Sequence, residues 1–242
     1  LQNNFNISSE PNENRSMWLE GLGDVPAHKF QKEKAEVIYF VGCVAAFYPM
    51  AHKIPQTFVQ ILDKAKVDFT ILGGEEWCCG FPLIQAGMKE KMDKLVEHNE
   101  EKLKEVGAET VIFACPSCYH TWKEMYHAGA ELLHSTQFIE RLMEEGKITF
   151  NSGIQKTVTY HDPCDLGRNS GVYDPPRNVL KRIPGLKLVE LENNRQLCVC
   201  CGGGGGRIWL ETKKGERFSD LRLEQAIEAG AEVLAVACPY CL

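Results

Sequence analysis

Two adjacent cysteines run into glycine twice in this chain, as Cys78-Cys79-Gly80 and as Cys200-Cys201 followed by Gly202 to Gly206. The other cysteines fall at matching distances around each pair. In the first half, 34 residues separate Cys43 from Cys78 and 35 separate Cys79 from Cys115, which Cys118 follows in a Cys-x2-Cys step. In the second half, 35 residues separate Cys164 from Cys200 and 36 separate Cys201 from Cys238, followed in the same way by Cys241. Ten of the eleven cysteines are thereby placed in two frames of five, and Cys198 is left over.

So many cysteines in 242 residues, with no secretory leader expected, read as thiols in a reducing compartment and not as a disulfide framework. Burial as small hydrophobes would account for two or three of them but not for the spacing. A structural zinc ion closes with four ligands, one fewer than each half offers, and vicinal cysteines chelate one tetrahedral ion under strain. Iron–sulfur clusters spread thiolates over several irons, four for a cubane [4Fe-4S]. Five thiolates for four irons mean that one bridges two irons or stands outside the ligand set, and the vicinal pair is the natural bridge. Gly80, Gly202, Gly203 and Gly204 suit such a ligand, because glycine lets the backbone come close, take positive φ and aim N–H groups at sulfur. A flexible tether explains five glycines directly after a cysteine pair poorly. Cys115-Pro-Ser-Cys118 and Cys238-Pro-Tyr-Cys241 also have the form of thiol–disulfide exchange motifs. Their duplication inside a larger frame favours cluster ligation.

The elements that must position these thiols alternate. EVIYFVGC (36–43) is a β-branched and aromatic run, followed by a helical stretch with Ile54, Phe58, Ile61, Leu62 and Ala65 on one face. A short strand, FTILGG (69–74), leads to a second helix carrying Met88, Met92, Leu95, Val96, Leu103 and Val106 and stopping at Gly107, and then to the strand TVIFAC. KTVTYHDPC (156–164), LKLVELE (186–192), SDLRLEQAIEAG (219–230) and AEVLAVACPYC repeat the order. GAETVIFACPSC (107–118) and GAEVLAVACPYC (230–241) match at an offset of 123, which marks a tandem duplication. The expected fold is α/β: two tandem Rossmann-like β-α-β-α-β repeats with parallel sheets, related by a pseudo-twofold axis. The expected organisation is a polar N-terminal linker or surface arm over 1–34 with Trp18 and Leu19 as candidate anchors, a first cysteine-rich repeat over 35–150, and a second over 151–242. The thiols then stand at the carboxyl ends of parallel strands, where ligands of open α/β sheets bind.

A net charge of −6 with interspersed signs argues against nucleic acid as a partner. No apolar run approaches the ~20 residues of a membrane helix, so the expected location is cytoplasmic, with docking at the membrane's cytoplasmic face through a partner. The chain begins at Leu1 without methionine and is expected to belong to a longer polypeptide.

WCCGFP, HDPCDLGR, CCGGGGGRIWLE and ACPYCL together resemble the cysteine-rich CCG domain family over about residues 36–242. That family comprises the cluster-bearing catalytic subunits of heterodisulfide reductases and related iron–sulfur subunits of glycolate and lactate oxidation and of respiratory complexes. The resemblance implies two noncubane [4Fe-4S] clusters, one on Cys43, Cys78, Cys79, Cys115 and Cys118 and one on Cys164, Cys200, Cys201, Cys238 and Cys241. It also implies reduction of a small-molecule disulfide in one-electron steps. The region of Cys201 most resembles the fused type of subunit, in which a ferredoxin-like domain precedes the repeats, and SSEPNENRSMWLEGLG (8–23) resembles its connector. No C-x2-C-x2-C-x3-C run occurs, so the implied partners are a ferredoxin-like iron–sulfur domain or subunit, a flavoprotein and a membrane cytochrome subunit. The second repeat stops one residue after Cys241, where the family pattern continues into a helix. Two other functions remain open: an electron relay between a flavoprotein and a quinone carrier, and the iron–sulfur component of a hydroxyacid oxidase.

Several further residues lie within the frames. His161 and His120 are candidate proton donors to a leaving thiolate or hydrogen-bond partners of sulfur and backbone. Arg168 and Arg207 are candidates for holding an anionic substrate group or balancing cluster charge. Asp162 is expected to order the Cys164 loop, and Trp77 and Trp209 to be core or cluster shielding. Cys198 is an inert thiol or a substitute ligand. The charged helix around residues 89–105 reads as a solvated face.

Overall fold

A continuous apolar run belongs to a strand buried on both faces, and Val37–Phe40 (β1) is one, with all four side chains buried. The computed structural model describes residues 1–242 apart from Gln2, Asp24, Pro26, Ile208 and Trp209. The chain divides into two compact units, Leu1–Ser135 and Thr136–Leu242.

In the first unit, β1 leads into the short helix α1 (Cys43–Phe47) and then α2 (Lys53–Lys64), whose buried face holds Phe58, Val59 and Leu62. Strand β2 (Phe69–Thr70), α3 (Phe81–Gln85) and α4 (Asp93–Val106) follow, and α4 ends on Gly107 at φ 73°, the left-handed stop expected there. Met92, Leu95, Leu103 and Val106 are buried as expected. Met88 is exposed, because a tight turn at Lys89–Lys91 intervenes and the helix starts later than the sequence suggests. Strand β3 (Thr110–Phe113), α5 (Pro116–Met125) and β4 (Glu131–His134) complete the unit. The sheet is parallel in the order β2-β1-β3-β4, with Val37 opposite both Phe69 and Thr110. β4 adds an edge strand to the expected β-α-β-α-β unit.

The arm before β1 is packed into this unit. Residues Asn12–Leu22 form 3₁₀ turns that bury Asn12, Arg15, Trp18 and Leu19. The first three stand three residues apart, the repeat of a 3₁₀ helix, and two of them are polar. Trp18 and Leu19 are the anchors expected, and the buried Arg15 is an addition.

In the second unit, α6 (Ser135–Glu144), whose first residue closes the first unit, precedes β5 (Lys156–His161), α7 (Asp174–Lys181), β6 (Leu186–Val189), α8 (Phe218–Glu228) and β7 (Val233–Val236). The sheet is again parallel, in the order β6-β5-β7. The α/β class and the parallel sheets agree with the sequence reading. Among the described residues no helix is long and apolar enough to cross a membrane.

Candidate metal centres

In both sheets the chain steps from the central strand to one neighbour and then to the other, so the carboxyl ends of β1 and β3, and of β5 and β7, flank a switch point. Cys43 follows β1 directly and opens α1 behind Gly42, which lies at φ 79°. A Cβ on Gly42 would stand 3.2 Å from the Cys118 sulfur, so this glycine lets the strand end close on the site. Cys115 caps α5 with Pro116 in the first turn and Cys118 just behind it. The Cys78-Cys79 pair lies in the loop ahead of α3.

These placements bring the five sulfurs of the first unit together. Cys43 hydrogen-bonds Cys78, Cys78 hydrogen-bonds Cys79, and Cys118 hydrogen-bonds both Cys79 and Cys115. All five are buried, and none is in a disulfide. Hydrogen bonds with Cys118 and Cys78 hold the Cys79 thiol down at about 6, whereas the bond to Cys78 and burial push Cys43 well up. The Gly80 N–H points at the Cys78 sulfur at 3.5 Å, from a backbone at φ 92°. Asn99, buried in α4, donates to the Trp77 and Cys78 carbonyls and to the Tyr126 hydroxyl, which donates to the Cys79 carbonyl. Trp77 is stacked between Phe5 and His98, both at 3.6 Å. The Cys78 N–H donates to the Phe5 carbonyl at 2.7 Å, so the arm also holds this loop.

The second unit repeats the arrangement more openly. Cys164 hydrogen-bonds Cys200, Cys200 hydrogen-bonds Cys201, and Cys201 lies 3.0 Å from Cys241, which hydrogen-bonds Cys238. Bonds with Cys164 and Cys201 hold Cys200 far below the usual thiol range, and the bond to Cys200 pushes Cys201 up to about 12. In each cysteine pair the hydrogen bonds lower one thiol and raise its neighbour: Cys79 is lowered and Cys78 raised in the first unit, Cys200 lowered and Cys201 raised in the second. The Gly202 N–H reaches Cys200 at 3.3 Å and the Gly203 N–H reaches Cys201 at 3.5 Å. Cys164, Cys200, Cys201 and Cys241 are half-buried, and only Cys238 is fully buried. A cavity of about 300 Å³ opens beside Cys201 and Cys241, with Arg207, Arg217 and Thr212 in its wall.

The glycines differ in what they contribute. A Cβ on Gly203 would meet the Tyr240 carbonyl oxygen at 2.0 Å, while open space surrounds Gly204, whose carbonyl accepts the Arg207 N–H. Gly203→Ala is therefore expected to displace the Cys241 loop, cost about 1–3 kcal/mol and lower second-site iron. Gly204→Ala is expected to leave both unchanged, and iron quantification together with a denaturant titration of the pair checks the contrast.

His161 ends β5 with Nδ1 3.5 Å from the Cys198 sulfur, and its ring lies within 4.8 Å of the Cys201 and Cys241 sulfurs. Burial first, and the Arg222 charge second, lower it to about 4. Asp162, beside it, receives both terminal nitrogens of Arg177 at 2.7 and 2.8 Å and the Arg195 N–H at 2.7 Å, which ties β5 to the loop ahead of Cys198. Arg168 donates to the Cys198 and Gln196 carbonyls and thus holds that same loop. His120 is half-buried on α5, two residues beyond Cys118. Trp209 lies outside the described residues.

The donor set suits a cluster: each unit offers five sulfurs at one place, one more than a tetrahedral ion takes, with backbone N–H groups turned toward sulfur. The profile of the cysteine-rich domain family, CCG, matches residues 37–123 and 158–242, which contain all ten of these cysteines. The chain belongs to that family. It is 38% identical over 229 residues to a subunit of the dihydromethanophenazine:CoB–CoM heterodisulfide reductase of Methanosarcina acetivorans, covering 91% of this chain and 56% of that protein. It is 34% identical to the probable iron-sulfur-binding oxidoreductase FadF of Bacillus subtilis, over 94% of this chain and 34% of that one. The EtfAB:quinone oxidoreductase of Syntrophomonas wolfei is 33% identical over 100% of this chain and 36% of its own. This CCG chain thus spans about half the length of its heterodisulfide reductase relative and a third of the others. Among solved structures, a Picrophilus torridus aspartate racemase aligns over 85% of this chain and 81% of its own at 13% identity, with a TM-score of 0.36, too low to support an argument.

Arg15, Glu76, Asn99 and Tyr126 shape the first centre without having been singled out in the sequence. Glu76 adjoins Trp77-Cys78-Cys79, but its partner lies 61 residues away.

Proposed function

We propose that this chain is the cluster-bearing part of an oxidoreductase that reduces a small-molecule disulfide to two thiols, with a noncubane [4Fe-4S] cluster on each group of five cysteines. The observation that carries the reading is the meeting of five sulfurs at the carboxyl end of each parallel sheet. The overall reaction takes two electrons and two protons per disulfide, and bound clusters supply the electrons singly. A ferredoxin-like iron–sulfur domain or subunit, fed by a flavoprotein or a membrane cytochrome subunit, is the electron source in this reading.

The residues divide the work. In the first unit, Gly80, Asn99 and Tyr126 fix the cysteine-pair loop, and the stacked Trp77 shields it from water. In the second, Gly202 and Gly203 orient the pair, Arg168 and Asp162 hold the preceding loop, and the cavity beside Cys201 and Cys241 admits substrate. Arg207 and Arg217 in its wall suit an anionic group on that substrate. His161, 3.5 Å from the Cys198 sulfur and beside those of Cys201 and Cys241, orders a thiol proton by hydrogen bonding.

A second reading, electron relay to a quinone, is favoured by the likeness to FadF and the EtfAB:quinone oxidoreductase. A disulfide presented to the reduced, iron-loaded protein separates the two. Release of two thiols per disulfide, lost when Cys201 is replaced by alanine, supports disulfide reduction. Quinone reduction without any thiol release supports the relay.

A further inference from the structure

The two sites are not copies of each other where the loop enters the cysteine pair. When Cys78 is set against Cys200, Glu76 falls opposite Cys198; when Cys43 is set against Cys164, Phe40 falls opposite His161. The second site therefore has a thiol and an imidazole where the first has a carboxylate and a phenyl ring. That carboxylate is fully buried and accepts three donors: the Val41 N–H at 2.7 Å, the Gly42 N–H at 2.9 Å and Arg15 Nη1 at 2.8 Å.

Arg15 comes from the N-terminal arm and is 1% exposed. Its Nη2 points past the ion pair to the Cys43 sulfur at 3.5 Å and to Asn12 Oδ1 at 3.2 Å, and Asn12 in turn donates to the Gly74 and Glu76 carbonyls. The pair is thus a buried dipole locked at both ends, its positive end on a ligand sulfur and its negative end on the backbone of the β1–α1 turn. A buried guanidinium is costly unless paired, and here the pairing leaves one N–H face for sulfur. Hydrogen bonds and charge next to cluster sulfurs set reduction potential, because a nearby cation favours the state with the extra electron.

We propose that Arg15 is a positioning residue that raises the reduction potential of the first site's cluster, with Glu76 as its opposing counter-charge, so that the arm tunes one of the two centres and leaves the other alone. The inference rests on the first site holding a cluster. Its test is a potentiometric titration, followed by electron paramagnetic resonance, of the whole iron-loaded chain and three variants. Arg15→Met combined with Glu76→Gln removes both charges without stranding a bare carboxylate. It is expected to move one of the two transitions to more negative potential and leave the other in place. Arg15→Lys is expected to keep the potential near its original value. Glu76→Gln alone, which keeps the cation, is expected to move the same transition in the opposite direction, and it serves if the double variant does not fold.

A purely structural role would not produce shifts of opposite sign. Unmoved transitions at full iron content, or equal movement of both, would overturn the inference while leaving the cluster reading intact. Iron missing from the first site of the unsubstituted chain would instead defeat the reading on which it rests.

Discussion

Replacing Cys200 and Cys201 together by alanine is expected to remove about four of about eight irons per chain and to bring disulfide reduction down to the buffer background. The pair supplies two of five sulfurs at the second site, and both receive backbone N–H groups that alanine leaves without a sulfur acceptor. Of the two, Cys201 borders the cavity that the proposed reading assigns to substrate. The first site is expected to keep its iron, because its own hydrogen-bond network lies within Leu1–Ser135. Iron quantification and a thiol-release assay on the same preparation check both halves of the expectation. Full activity with half the iron would move the reaction to the first site.

The second large effect is expected from Arg177→Met. Arg177 is 1% exposed and grips Asp162 with two nitrogens, while its Nε reaches Glu190 at 2.7 Å. Breaking a buried pair leaves an uncompensated charge, at a cost of about 3–5 kcal/mol. Asp162 sits two residues before Cys164, so the end of β5 loosens where the second site begins. Amide exchange in β5, β6 and β7 is expected to accelerate while β1 and β3 stay protected. Arg177→Met combined with Asp162→Asn is expected to recover part of the loss, since the stranded charge is gone. Unchanged exchange in the single variant would show that the pair contributes little.

The elements that carry cysteines were legible because their signals are local. The apolar runs Val37–Phe40 and Thr110–Phe113 announce buried parallel strands, and repetition of the five-cysteine frame announces two sites. The arm was legible only in part. Trp18 and Leu19 stand out as apolar residues in a polar stretch, but Arg15 looks like any surface arginine until a 3₁₀ repeat places it on their buried side. Its role depends on Glu76 and Cys43, 61 and 28 residues away, and no spacing rule links them. Met88 misleads for the opposite reason: its spacing fits the helix, although Gly87 at φ 71° directly before it marks the break that the turn at Lys89–Lys91 continues. Among the glycines, sequence alone does not separate Gly203 from Gly204, because the distinction is a carbonyl from residue 240.

The most direct test of the central claim is an electron paramagnetic resonance spectrum of anaerobically prepared, iron-quantified protein, taken during oxidant titration with and without candidate thiols. The account predicts about eight irons per chain and a paramagnetic signal that changes when thiol is present. A chain without stoichiometric iron, or one with full iron whose signal ignores every thiol offered, would contradict it.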